Sequence, residues 1–243
     1  MQKSPSNIGL FVAALVIGCW ATSITLLMQW HFSFSNPLVY VLMLVQMHLY
    51  TGLFITAHDA MHGTVSPDRG LNNFVGYLST FLYASFWYPQ LYTKHHKHHS
   101  HVHTHEDPDY HQGSFFAWYV QFIRNYLSIW QIVVMAVVFN ILKIWIPQPN
   151  LIMFWVVPSL LSTLQLFYFG TYQPHKGEHD NRHFARSQRR NHLAAFFSCY
   201  FLVIIMSTMN RRVYHGGDCG KLLNPTRVRD RSGYRPVTNA RAV

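Results

Sequence analysis

Residues 8–30, 37–57, 127–146 and 151–172 form four apolar stretches, each close to the roughly 20 residues a helix needs to cross a bilayer core about 30 Å thick. Such a chain has few folds open to it. In lipid every backbone N–H and C=O must be satisfied internally, and a helix does this within one segment. Composition agrees: half of the chain is apolar and only 12% is charged, against about 25% in soluble domains. The expectation is an all-α, polytopic membrane helical bundle of about four spans. A fifth apolar stretch, residues 71–91, is interrupted by Asn72, Asn73, Gly76 and Pro89 and reads as a short buried or interfacial helix pair. The first stretch is too long for a cleavable signal peptide and no small-residue cleavage pattern follows it.

Basic residues set the expected orientation. The connections at 30–36 and 147–150 carry no Lys or Arg, whereas the opposite face holds Arg69, Lys94, Lys97, Lys176, Arg182, Arg186, Arg189 and Arg190. That face is expected to be cytoplasmic, with both termini on the same side. The net charge of +10 does not point to nucleic acid, because residues 210–243 hold eight of the nineteen Lys and Arg but two of the nine Asp and Glu. The remaining positive charge fits the orientation pattern. Cys19, Cys199 and Cys219 have no paired spacing and indicate no disulfide framework.

Eight histidines fall within the eighteen residues Lys94–His111, directly after an apolar stretch. His58 and His62 stand at the expected inner end of the second span, and a spacing of four puts both on one helical face. His95, His98 and His99 form an HxxHH pattern, whose offsets of three and four also share a face. Two such groups on one side of a membrane suggest a metal site. Imidazole suits iron, zinc, copper and nickel alike, so residue type leaves the metal open. The absence of a nearby CxxC argues against a structural thiolate zinc site. Asp59, Asp107 and Asp109 are candidates to orient the ligating rings, with His111 and His175 as further supporting positions. His96, His101, His103 and His105 lie outside the HxxHH pattern and read as solvated loop residues, as do His179, His183 and His192 in their basic segment. His48, inside the second span, reads as a helix-packing residue. Trp118, Tyr119, Phe122, Tyr126 and Trp130 are expected to pack the bundle or sit at the interface.

Several segments resemble the bacterial β-carotene ketolases, or β-carotene 4-oxygenases, of the membrane fatty-acid desaturase and hydroxylase superfamily. They are LYTGLFITAHDAMHG at Leu49–Gly63, KHHKHH at Lys94–His99 with the following DPDYH, SFFAWY at Ser114–Tyr119, and the run from Phe154 to His175. The resemblance covers about residues 8–200. It implies a four-span bundle with two non-haem iron ions held by histidines at the cytoplasmic face, His58, His62, His95, His98 and His99 being the ligands and catalytic residues. It further implies molecular oxygen, electrons from ferredoxin or a similar donor, a carotenoid substrate in membrane lipid, and oxidation at C4 of a β-ionone ring. Two hydroxylations at that carbon and loss of water would give echinenone and then canthaxanthin from β-carotene.

The resemblance also requires a last histidine group, of the form CYHFGYHxEHHE followed by PWWxLP. This chain reads CYFLVIIMSTMN over residues 199–210. Reading the last base of each codon with the first two of the next restores the pattern. From Val203 to Asn210 the shifted codons can spell YHHEHHE, with the final glutamate forced and the earlier one forced if Ser207 is encoded by AG-pyrimidine. Tyr214 to Cys219 can spell PWWRL, with the leucine forced. Residues 1–200 are therefore expected to form a desaturase- or ketolase-like membrane domain, and residues 201–243 an atypical basic tail translated out of frame. The alternative is a genuine divergent tail with a further apolar segment at 194–209.

Three other readings stay open. A fatty-acyl desaturase or hydroxylase would use similar histidine spacing on another lipid. A metal-binding or metal-transport protein could use the histidine-rich loop as a buffer, although its spans carry almost no acidic residues. A catalytically dead relative is the third.

Overall fold

A computed structural model describes residues 8–101 and 106–173. Those residues are helical, with no strand among them: α1 Ile8–Gln29, α2 Leu38–Met61, α3 Arg69–Ala84, α4 Tyr88–Ser100, α5 Phe115–Tyr126, α6 Ile129–Leu142 and α7 Gln148–Tyr172. Helices α1, α2 and α7 have 22, 24 and 25 residues and are apolar enough to cross a membrane. At 1.5 Å per residue each spans at least about 33 Å. The segment at 127–146, expected as one span, differs. Leu127 is extended, Ser128 caps a new helix, and α6 has 14 residues, only about 21 Å of rise. A fourth crossing arises if α5 and α6 count together across their 82° bend. The apolar stretch at 71–91 forms a helix pair, α3 and the start of α4, parted at left-handed Ser85 (φ 54°).

Helix α2 is the centre of the bundle, packing against α3, α7 and α1. Its buried polar groups find partners on neighbouring helices, as apolar surroundings require. Ser23 donates to Gln46 Oε1 at 2.7 Å, and the Thr51 hydroxyl lies 2.8 Å from Ser162 Oγ and 2.9 Å from Gln165 Oε1. At one end of the bundle, Asn150 Nδ2 donates to the carbonyls of Leu27 and Trp30 at 2.7 and 2.8 Å, tying the start of α7 to the α1–α2 turn. At the other end α1 begins against the Thr64–Val65 backbone, so closely that a Cβ on Gly9 would lie 2.4 Å from the Val65 carbonyl oxygen. The C-terminus of α2 and its histidines lie at that second end.

Helix α4 lies close to α3 because Gly76 has no side chain. A Cβ there would stand 2.4 Å from the ring of Tyr88, which is buried and packed between Tyr77 and Tyr92. Overpacking of this kind costs about 1–3 kcal/mol, against roughly 1 kcal/mol regained from the better helix propensity of alanine. Gly76→Ala is therefore expected to lower the thermal unfolding midpoint in detergent. An unchanged midpoint would mean that Tyr88 is free to move aside.

Candidate metal centre

His58 and His62 come from the last turn and C-cap of α2, and His95 and His99 from the second half of α4. Each pair is spaced by four residues, so each helix presents two imidazoles on one stripe. The helices then bring the pairs together. His95 Nε2 is 2.9 Å from His62 Nε2 and 3.1 Å from His99 Nε2. The His58 ring centroid is 4.8 Å from that of His62 and 4.5 Å from that of His95. One ligand atom from each of the four lies within 4.8 Å of the others. These separations suit a metal ion: two bonds of about 2.1 Å at a right angle put nitrogens about 3.0 Å apart.

The cluster is electrostatically prepared for a cation. Burial, reinforced by the neighbouring imidazoles, pushes His62 down to about 3 and His99 to about 4, and lowers His95 in the same way. At neutral pH these rings carry no charge, which is the form that ligates metal.

His98, expected to converge with His95 and His99, stands apart from the four-histidine group. On a helix His99 is rotated about 40° from His95 and His98 about 60° the other way, which points it at the Asp107–Asp109 turn. Its Nδ1 lies 2.8 Å from Asp107 Oδ1 and 3.6 Å from Asp109 Oδ2. Asp107 Oδ1 also accepts the Asp109 backbone N–H at 2.9 Å. That oxygen is thus already used by two donors, so the carboxylate acts here as a hydrogen-bond acceptor that fixes an imidazole. Burial disfavours the charged form of His98, but its hydrogen bond to Asp107 and the charges of Asp109 and Asp107 outweigh it and raise its pKa. Asp59 stands in a looser relation to His58, 3.4 Å from its Nδ1.

The remaining histidines divide plainly. His96 packs on Tyr92 at 4.2 Å, and His101 Nε2 is 3.2 Å from exposed Glu106. His48 Nδ1 lies 3.0 Å from the Leu44 carbonyl within α2, about 15 Å along the helix from His58. His111 belongs neither to the four-histidine group nor to the His98, Asp107 and Asp109 cluster, the two sets of possible metal ligands among the described residues. His103, His105, His175, His179, His183 and His192 lie outside the described residues, as does the whole tail from residue 201.

Composition and spacing gave no sign that the aromatics of α5 hold the acidic turn. Trp118 Nε1 donates to the Asp109 carbonyl at 2.8 Å and the Tyr126 hydroxyl to Asp109 Oδ1 at 2.6 Å.

A cavity of about 880 Å³ opens on His58, His95, His98 and His99. It runs between α2, α5, α6 and α7, and its walls are largely apolar, with Phe54, Leu91, Phe122, Met135, Leu160 and Phe169 among them. Pockets of about 300–1,000 Å³ with apolar walls and a few convergent polar groups are the usual form of a small-molecule site.

Similarity to known proteins agrees with this arrangement. The sequence pattern of the family described as "Fatty acid desaturase" matches residues 35–143, which include the histidines of both helices. The chain is 36% identical over 201 residues to a protein named beta-carotene ketolase from Paracoccus sp. (strain PC1), covering 80% of this chain and 82% of that one. It is 45% identical over 137 residues to a beta-carotene ketolase of Haematococcus lacustris, covering 54% of this chain, and 40% identical over 162 residues to a zeaxanthin 4-ketolase of Chlamydomonas reinhardtii, covering 63%. The matched part spans 42% and 36% of the length of these two relatives. No solved structure matches. With four imidazoles gathered beside an apolar cavity in a membrane helical bundle, and a match across most of the Paracoccus protein, the chain belongs to the β-carotene ketolase family of the membrane desaturase and hydroxylase superfamily.

Proposed function

We propose that the protein is built as an oxygen-dependent carotenoid ketolase that introduces a keto group at C4 of the β-ionone ring of β-carotene, forming echinenone and canthaxanthin. The observation that carries this reading is the junction of the four-histidine group with the apolar cavity. A hydrocarbon substrate offers almost no polar handle, so shape and exclusion of water must hold it, and the walls supplied by α2, α5, α6 and α7 suit that task. The ketolase names of the relatives favour a carotenoid over a fatty acyl chain.

His58, His62, His95 and His99 would hold metal, with His98 as a further ligand through Nε2 while Asp107 keeps its Nδ1 protonated and its ring in place. Two non-haem iron ions bound there, with electrons from ferredoxin or a similar donor, would supply the activation of molecular oxygen that oxidation of an allylic methylene demands. His62, His95 and His99 are neutral imidazoles ready to ligate. The apolar wall keeps the ring at the histidine end and water away from it. The positive-inside pattern supports a cytoplasmic position for this end, which would give a soluble electron donor access.

In this reading residues 1–200 are the functional domain, and the sequence from about 201 onward is the product of a shifted frame that has lost the last histidine group. The test is carotenoid chromatography of a β-carotene-producing bacterium expressing the frame-restored chain. Echinenone and canthaxanthin are expected. Unchanged β-carotene together with altered fatty acids would move the assignment to a desaturase or hydroxylase.

A further inference from the structure

The C-terminal end of α5 grips the metal-binding helix and the acidic turn at once. Lys94, the residue before His95, donates to the Asn125 carbonyl, and Asn125 Nδ2 donates to the Pro108 carbonyl at 2.6 Å. The next residue, Tyr126, reaches a side chain: its hydroxyl donates to Asp109 Oδ1 at 2.6 Å. The other oxygen of that carboxylate is 3.6 Å from His98 Nδ1, while the Asp109 backbone N–H holds the Asp107 oxygen that accepts from the same nitrogen. The ring of Tyr126 also lines the apolar cavity. A bond this short to a carboxylate is of the charge-assisted kind, stronger than a neutral pair and directional. It therefore sets the rotamer of Asp109 rather than merely filling space.

We propose that Tyr126 is a positioning residue of the metal centre, which through Asp109 and the Asp107–Asp109 turn holds the His98 imidazole in the orientation and tautomer that present Nε2 for ligation. The proposal rests on the reading of the histidines as metal ligands. It extends the outer shell of the site to a residue on a different helix that shares a wall with the substrate cavity. Were Tyr126 only a packing residue, phenylalanine would serve as well, since the ring contacts with Phe122 and with the Lys94 ammonium do not need the hydroxyl.

The experiment is a Co(II) titration of the purified full chain in detergent, following the visible ligand-field bands, with helicity and elution volume as checks on folding. Partners that orient a ligating histidine typically contribute about 10–100-fold in metal affinity, and Tyr126 acts one bond further out. Tyr126→Phe is expected to weaken Co(II) binding about tenfold and to shift the bands. Asp109→Ala should do at least as much, and the double variant should be no weaker than Asp109→Ala alone, because both break one path. Tyr77→Phe, on the outer face of α3, should bind as the unaltered chain does.

A folded Tyr126→Phe chain with unaltered affinity and bands overturns the proposal, and so does an equal loss in Tyr77→Phe. If Tyr126→Phe fails to fold, Asp109→Ala decides in its place, with unaltered binding as the overturning result. Failure of the unaltered chain to bind Co(II) would sink the metal reading as well. Binding by the unaltered chain with no effect of Tyr126→Phe would sink this proposal alone.

Discussion

Replacing His95 with alanine is expected to lower the metal affinity of the four-histidine group by more than about 100-fold, beyond the range seen for residues that only orient a ligand. His95 is the hub of the cluster. Its Nε2 is the atom within 2.9 Å of His62 and 3.1 Å of His99, and its ring is 4.5 Å from that of His58. Removing it leaves, of the four, one pair on α2 and a single ring on α4, without the nitrogen that stands between them. The same change made at His96, one residue on, should leave affinity within about twofold, because that ring packs on Tyr92 outside the group and contributes no ligand atom to it. Iron content after reconstitution with Fe(II), together with a Co(II) titration, reads both variants. Full iron stoichiometry in His95→Ala, or equal losses in the two variants, would show that metal is held elsewhere.

That prediction depends on how the second histidine group is divided, which the sequence could not show. The HxxHH pattern puts three rings on one broad face of α4, and periodicity alone treats them as equivalent. The division comes from what faces each stripe. The His58 and His62 pair of α2 meets His95 and His99, while the Asp107–Asp109 turn meets His98. A contact between segments so far apart in sequence leaves no local mark. The aromatic residues of α5 were opaque for the same reason, since Trp118 and Tyr126 look like membrane-interface residues until their polar ends are seen on Asp109. The break before α6 is a different case, because its signal was present. Ser128 and Gln131 make a reciprocal capping box, the S-x-x-Q mark of a helix start, but apolar residues continue on both sides and merge the segments into one hydropathic run. What was legible was whatever depends on segment length and local period: the long spans, the helical spacing of His58 with His62, and the placement of His95 and His99 on a helix.

Restoring one reading frame is expected to change the product from nothing detectable to ketocarotenoid. The described residues bring together four histidines, with His98 beside them, a set short of what two metal ions surrounded by imidazole would need. The resemblance that accounts for the first two groups requires a third, and residues 199–210 contain no histidine in the frame as written. The shifted frame can supply one. Its glutamate from Met209 and Asn210 and its leucine from Asp218 and Cys219 hold for any codon choice, and both fall where the family pattern puts those residues. A basic, unpatterned tail from residue 210, with eight Lys and Arg in 34 residues, is also what a sequence free of selection for packing would look like. In a β-carotene-producing bacterium, the chain as written should therefore leave β-carotene unchanged, and the frame-restored chain should yield echinenone and canthaxanthin at matched expression. Histidine-to-alanine changes within the restored YHHEHHE should abolish that yield again, tying the gain to the ligands rather than to a better-behaved terminus. Equal ketocarotenoid from both chains would show that the histidines of residues 1–200 suffice and would remove the frameshift from the account. Codons in the encoding DNA that cannot be reread as YHHEHHE would remove it without any assay.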